Sequence, residues 1–333
     1  MKNAFLEDIN KDILQYAVGA LLYIPAINKD ISKIICTRKY NYLTSVSLCL
    51  EDSIADNMLE QAETQIISEL RKISDCILKN EVSVNDIPLI FIRIRNPEQM
   101  EKLFYEIKDF NTALTGFVLP KFDLSNADKY KQAILKINKN SEKVYYIMPI
   151  LESGSIINTG SRIKVLTELK DIIDGISEYT LNIRVGANDL CNEFGLRRSC
   201  KETIYDIEVV KAAIVDIFNV FGRDYVISGT VWEYFDNPKD DNWKIGLQKE
   251  LYLDRVNGLI GKTAIHPSQV PVILDSMRVS PESYEDAKNI LNWNDESLGV
   301  AKSANGNRMN EPKVHKNWAK KIMCLANIYG VAE

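Results

Sequence analysis

Two carboxylates stand where chemistry is possible. Glu152 closes the apolar run Val144–Leu151, and Asp189 follows the run Asn182–Gly186. A carboxylate pair with no histidine or cysteine ligand makes a hard-oxygen site, suited to Mg²⁺ that keeps several of its waters. Such a metal polarises a carbonyl and holds an enolate oxygen. Arg93 lies inside the apolar run Pro88–Arg95, where a buried guanidinium needs a partner. Arg93, with Lys121 after the run Gly116–Pro120, offers cationic contacts to a substrate carboxylate or to developing charge. Glu51 and Asp52 follow Ser45–Leu50, and His266 ends Lys262–His266. Taken singly, Asp52 or Asp189 can cap a helix and the bases can be solvated. The set, rather than any member, points to a site.

These groups need a scaffold that gathers the ends of several strands. Eight short β-rich runs recur, beginning with Ala20–Pro25, continuing through those named above and Tyr225–Gly229, and ending at Lys262–His266. Helical periodicity fills most of the gaps. Ile54, Met58, Ala62, Ile66, Leu70, Ile73 and Ile77 predict a helix over 54–77, and further helices are expected over 97–110, 161–176 and 199–221. Alternating strands and helices imply parallel pairing through crossover helices. Eight units of about 35 residues each point to a closed (β/α)8 TIM barrel, an α/β fold whose active site gathers at the strand C-termini. No GxGxxG or GxxxxGK[ST] follows an early strand. The expected division is a catalytic barrel over 1–275 and a helical C-terminal arm over 276–333. The arm should hold helices near 283–292 and 313–329, with a loop over 297–311.

Composition narrows the function classes. The 333 residues carry 41 Lys+Arg against 46 Asp+Glu, a net charge of −5, with no basic domain to suit nucleic acid. Six cysteines form no CxxC pair and only two histidines exist, which disfavours a Cys/His zinc site. Glu7 and Asp8 sit where a signal peptide would place its apolar core, and the stretch Ala17–Ile27 is too short to span a bilayer. A soluble cytoplasmic protein with no membrane partner is expected.

The motifs, in order, resemble a known family. They are Leu22-Tyr23-Ile24-Pro25, Leu50-Glu51-Asp52-Ser53, Arg93 in a strand, Gly116–Lys121, Leu151-Glu152-Ser153, Gly186–Leu190 and Gly261–Gln269. The sequence resembles the citrate lyase β-subunit-like branch of the HpcH/HpaI aldolase superfamily. Val231–Phe235 and Met309-Asn310-Glu311 resemble its divergent C–C bond lyase group of the TIM-barrel fold. The resemblance implies a Mg²⁺-dependent lyase with Glu152 and Asp189 on the metal and Arg93 on the substrate carbonyl or carboxylate. It implies that Glu51 and Asp52 support the metal through water or Lys121, and that Arg95 replaces a usual Asn among the substrate contacts. It also implies a homotrimer or hexamer, whose C-terminal arm brings an acidic residue, here Glu311, to a neighbour's site. Glu311 before Pro312 can equally be a helix N-terminal acid. His266 is expected to support the site. Arg197-Arg198 can meet a phosphate of a CoA-like substrate or be a solvated pair.

The expected reaction is cleavage or formation of a carbon–carbon bond in a β-hydroxy or oxo acid, free or as an acyl-CoA. A Schiff-base route through Lys121 is disfavoured, because neighbouring carboxylates keep the amine protonated. Thioester hydrolysis, phosphoenolpyruvate-type enolate chemistry and a non-catalytic metabolite-binding subunit are the other readings.

Overall fold

The computed structural model describes residues 11–293 and 299–333. The opening residues with Glu7 and Asp8, and residues 297–298 at the start of the expected loop, lie outside the described residues. Residues up to Ile273 form one compact unit and Leu274–Glu333 form a second.

The first unit is an eight-stranded parallel barrel. Its strands are β1 (Ala20–Pro25), β2 (Ser45–Cys49), β3 (Leu89–Arg93), β4 (Leu114–Leu119), β5 (Tyr146–Leu151), β6 (Ile183–Val185), β7 (Ile227–Ser228) and β8 (Lys262–Ala264). All neighbours pair in parallel, in the order β7-β6-β5-β4-β3-β2-β1-β8. The remaining seam is thin. A single bridge, Gly229 to Lys262, joins β7 to β8, with the Ile260 N–H donating to the Ile227 carbonyl at 2.8 Å.

Period-two alternation places one face of each strand in the lumen. Leu21, Leu89, Phe91, Val118, Met148 and Ile150 pack there with Leu14, Val18 and Leu181. Gly116 is required by space: a Cβ there would lie 1.9 Å from the Tyr146 carbonyl oxygen. Outside, helices follow the strands. Pro97–Ile107 starts where Asn96 accepts a hydrogen bond from the Gln99 N–H at 2.8 Å, with Pro97 in its first turn. Helices Ala127–Lys139 and Asn242–Val256 belong to the same outer ring.

The helix expected over 54–77 begins later, at Leu59, after a 3₁₀ turn over Asp56–Met58. The cause is Arg95. Its guanidinium takes the Leu50 carbonyl at 2.8 Å, the Ile54 carbonyl at 2.5 Å and the Asp56 carboxylate, holding this segment as a loop.

In the second unit, helices Pro281–Leu291 and Pro312–Tyr329 pack through Ala287, Ile290 and Ala319. The expected loop between them contains a short antiparallel pair, β9 (Ala301–Lys302) and β10 (Met309–Asn310). Buried Asp286 pins this hairpin by accepting from the Ala304 N–H and the Asn310 amide at 3.0 Å each, and from Arg308 Nε at 2.6 Å. Burial alone would raise the Asp286 carboxyl, but these donors outweigh it and hold it below its ordinary range.

Candidate active site

Five strand ends build one cluster of charge. Arg93, on the last residue of β3, is 6% exposed. Its Nη2 lies 2.7 Å from Glu51, 3.0 Å from Asp52 and 3.7 Å from Glu152. Its Nη1 meets Cys49 Sγ at 3.9 Å, and its guanidinium carbon sits 5.4 Å from the Tyr23 ring centre. Burial works against its charge, but Tyr23, Glu51, Cys49 and Glu152 outweigh it and raise its basicity.

Glu152 is 4% exposed at the end of β5. It accepts the Lys121 N–H at 2.8 Å. Lys121 achieves this from the left-handed region, at φ 50°, a conformation that costs a non-glycine residue roughly 1 kcal/mol. Burial pushes the Glu152 carboxyl up to about 8. Arg93 opposes that shift, and the neighbouring carboxyl of Asp189, with which Glu152 shares a hydrogen bond, adds to it. Asp189 lies in the first turn of the Ala187–Asn192 helix. Two carboxyls facing one another present converging oxygens, a donor set that fits a hard divalent cation. Gly186 leaves the room they need, since a Cβ there would lie 1.9 Å from Glu152 Oε2. Among the described residues no group of three or more His, Cys, Asp or Glu is placed to hold a metal ion by itself, so water or substrate oxygens would complete the coordination of a cation here.

The loop after β2 supplies the counter-charges. Lys121 Nζ lies 2.7 Å from Glu51 and 3.5 Å from Asp52. Its hydrogen bond to Glu51, opposed by burial, raises its pKa, so the amine stays protonated. Asp52 is held below its ordinary range: burial opposes this, but Glu51, Arg93 and Lys121 prevail. The loops after β4 and β5 are tied by Asp123, which accepts from Ser153 Oγ at 2.6 Å and from Ser155.

The structure thus brings Glu51, Asp52, Arg93, Lys121, Glu152 and Asp189 together. Arg95 lies apart from them, its guanidinium committed to the 50–56 loop. His266 stacks on Phe235 at 4.8 Å, with Nδ1 2.8 Å from Ser268 Oγ. Gln269 fastens that corner: it accepts from the Ile265 and His266 N–H groups and donates to the Trp232 and Tyr234 carbonyls. Glu311 belongs to the second unit, where it precedes the Pro312–Tyr329 helix without a side-chain capping bond, and its backbone N–H donates to His315 Nδ1 at 3.0 Å. Arg197 and Arg198 are not a solvated pair. Arg197 is exposed beside Glu233, whereas Arg198 is buried 5.1 Å from the Trp232 ring centre and 3.5 Å from Glu250.

Sequence reasoning passed over Arg184, on β6, which is 2% exposed and donates to Thr263 Oγ1 at 2.6 Å. The signal was available, because Arg184 interrupts an apolar strand as Arg93 does. Lys262 was missed as well. It lies fully buried, 2.8 Å from Glu250 and 2.7 Å from Asp254. No helix of the described residues is long and apolar enough to cross a membrane.

The geometry can be set beside known proteins. Among solved structures, this chain is similar to the CitE protein of Mycobacterium tuberculosis in complex with magnesium, acetoacetate and coenzyme A. That match has TM-score 0.62 and 18% identity, over 94% of this chain and 99% of that one. A citrate lyase from Burkholderia xenovorans matches with TM-score 0.68 and 12% identity, over 100% and 96% of the two chains. The M. tuberculosis citrate lyase β subunit complexed with oxaloacetate and magnesium matches with TM-score 0.50 and 18% identity, over 79% and 98%. At such identities the likeness speaks to the fold. Comparison with curated proteins gives no match. The family described as C–C bond lyase of the TIM-barrel fold matches residues 12–331, and the chain belongs to that family.

Proposed function

We propose that the protein is a Mg²⁺-dependent carbon–carbon lyase of the oxo-acid-lyase or aldolase type. It would cleave or form a β-hydroxy acid, free or as an acyl-CoA. The observation that carries this reading is the contact between the Glu152 and Asp189 carboxyls, with the Arg93 guanidinium 3.7 Å from Glu152. Solved relatives that hold magnesium with acetoacetate or oxaloacetate support it.

Glu152 and Asp189 would hold the cation. When bound, Mg²⁺ supplies a Lewis acid that polarises a carbonyl oxygen and offsets charge building on it. In the cleavage direction the hydroxyl proton passes to a base, the carbon–carbon electron pair moves onto the enolate fragment, and that fragment then takes a proton. Arg93 faces that fragment as a fixed cation, preorganised by Glu51 and Asp52 so that little reorganisation accompanies the reaction. Lys121, half-exposed and protonated, donates hydrogen bonds rather than acting as a nucleophile. Glu311 of a neighbouring copy in a trimer or hexamer is the proposed proton carrier, and His266 steadies the loop beside the site.

Glu152→Gln tests the reading. It should weaken Mg²⁺ or Mn²⁺ binding at least tenfold and abolish keto-acid release from a panel of β-hydroxy acids, with the fold retained. Unchanged metal affinity and turnover would remove the metal assignment.

A further inference from the structure

Charge accounting sets Arg184 apart from the rest of the site. Around Arg93, four carboxylates (Glu51, Asp52, Glu152 and Asp189) face two cations, Arg93 and Lys121. The cluster is therefore rich in carboxyl groups and complements a divalent cation, and Arg93 Nη2 is already shared among three of them. Arg184 is the opposite case. Its register partners are Ile150 on β5 and Ser228 on β7, which puts it one lumen layer below Glu152. Its side chain reaches Thr263 on β8 and feels Tyr23 on β1 and Arg93 on β3, so it points across the lumen.

No carboxylate among the described residues lies within ion-pair distance of Arg184, and its Nε and Nη1 meet no acceptor. Burial lowers its basicity and Arg93 adds to that, while Tyr23, with which it shares a hydrogen bond, partly offsets both. Ser228 Oγ on its register partner, and Ser47 Oγ on the register partner of Tyr23, are likewise buried without partners, as are Asn182 Oδ1 and Arg93 Nε. One unpaired buried guanidinium is costly, and a lumen layer of unsatisfied polar atoms compounds the cost. A packed apolar layer would have been cheaper. Nη2 carries two N–H groups and Thr263 takes one, so the other, together with Nε or Nη1, can receive both oxygens of a carboxylate.

We infer that the lumen layer around Arg184 is a carboxylate subsite, so that the substrate is a small acid with two carboxylates. One end is engaged at Glu152 and Asp189 through the metal, and the other is received by Arg184 with Ser47 and Ser228. This rests on the proposed metal-dependent reading of the upper cluster. It also names a specificity residue outside that cluster. A monocarboxylic oxo acid would leave the guanidinium unpaired and bind more weakly.

The test is calorimetric titration of the full-length protein, loaded with Mn²⁺, against oxaloacetate and against pyruvate. Arg184→Met keeps most of the side-chain volume without the charge. Thr263→Val keeps the charge but removes its anchor. The wild type should bind oxaloacetate more tightly than pyruvate. In R184M the oxaloacetate affinity should fall on the order of 10- to 100-fold, erasing the preference, with T263V intermediate. Mn²⁺ affinity should be unchanged in both variants. R184M should also melt no lower than the wild type without ligand, because an unpaired buried charge has gone; a purely structural arginine would lower it. Discrimination between the two acids that survives in R184M and T263V, with Mn²⁺ binding intact, overturns this inference alone. Failure of the wild type to bind Mn²⁺ overturns the metal reading and this inference with it.

Discussion

Replacing Gly186 by alanine adds one methyl group to the carboxylate site. The backbone there, at φ −94° and ψ 72°, lies outside the left-handed region, so the effect is steric rather than conformational. The new Cβ would stand 1.9 Å from Glu152 Oε2, 2.5 Å from its Cβ and 2.8 Å from its carboxyl carbon. The carboxyl can swing away, but the Glu152 Cβ is fixed by β5. Ordinary carbon–carbon contact is about 3.5–4.0 Å, so β5 and β6 must part locally by roughly 1 Å. Overpacking on this scale costs about 1–3 kcal/mol of stability, which a barrel of this size survives. The displaced carboxyl also loses the Lys121 N–H at 2.8 Å. Metal affinity should then fall about 10- to 100-fold, as when a metal ligand loses its support. Urea unfolding gives the first quantity and Mn²⁺ titration by calorimetry the second. Gly299→Ala is the control, because a Cβ there meets nothing within 4 Å. A folded G186A protein that binds Mn²⁺ like the wild type would refute the placement of Glu152 on the metal.

Two further outcomes are expected. Because the Glu152 carboxyl is pushed up to about 8, a bound cation must displace a proton at lower pH. Mg²⁺ affinity should therefore rise with pH by about tenfold per unit below 8 and level off above it, with proton release seen by calorimetry in buffers of different ionisation heat; a flat profile between pH 6 and 8.5 would contradict this. Lys262→Met leaves Glu250 and Asp254 buried with Arg198 and Thr230 at 3.5 Å from Glu250, the Ile204 N–H and Tyr205 as their remaining partners. Loss of a buried partner of this kind costs about 3–5 kcal/mol, read as a lower urea midpoint at constant slope, and an unchanged midpoint would show the network to be dispensable.

The barrel was legible because each strand is a short apolar run bounded by turn residues, and all eight runs hold strands at nearly the expected positions. The cluster at Arg93 was legible for a related reason: a charge inside an apolar strand demands a partner. What stayed hidden depends on distances across the barrel. Arg95 looked equivalent to Arg93, two residues away, yet the two guanidiniums go to different places: Arg93 to carboxylates at the strand ends, Arg95 to carbonyls of the 50–56 loop. The late start of the Leu59–Leu78 helix follows from that capture, which helical periodicity cannot register. Arg198 gives no local sign of burial either. It depends on Glu250 and Trp232, which lie 52 and 34 residues further along the chain.

The thin seam between β7 and β8 has a mechanical consequence. Here the backbone supplies two hydrogen bonds, Ile260 N–H to the Ile227 carbonyl and Gly229 N–H to the Gly261 carbonyl, and side chains add rivets. Lys262 bolts β8 to the Asn242–Val256 helix that follows β7, and Gln269 staples the two loops above. A ladder resists shear along its whole length, whereas rivets hold at points and let the segments between them flex. The longer ladders join β1 to β5, the strands whose ends carry Glu51, Arg93, Lys121 and Glu152. The point fastenings fall on the side of Thr263, the residue that steadies Arg184 from β8.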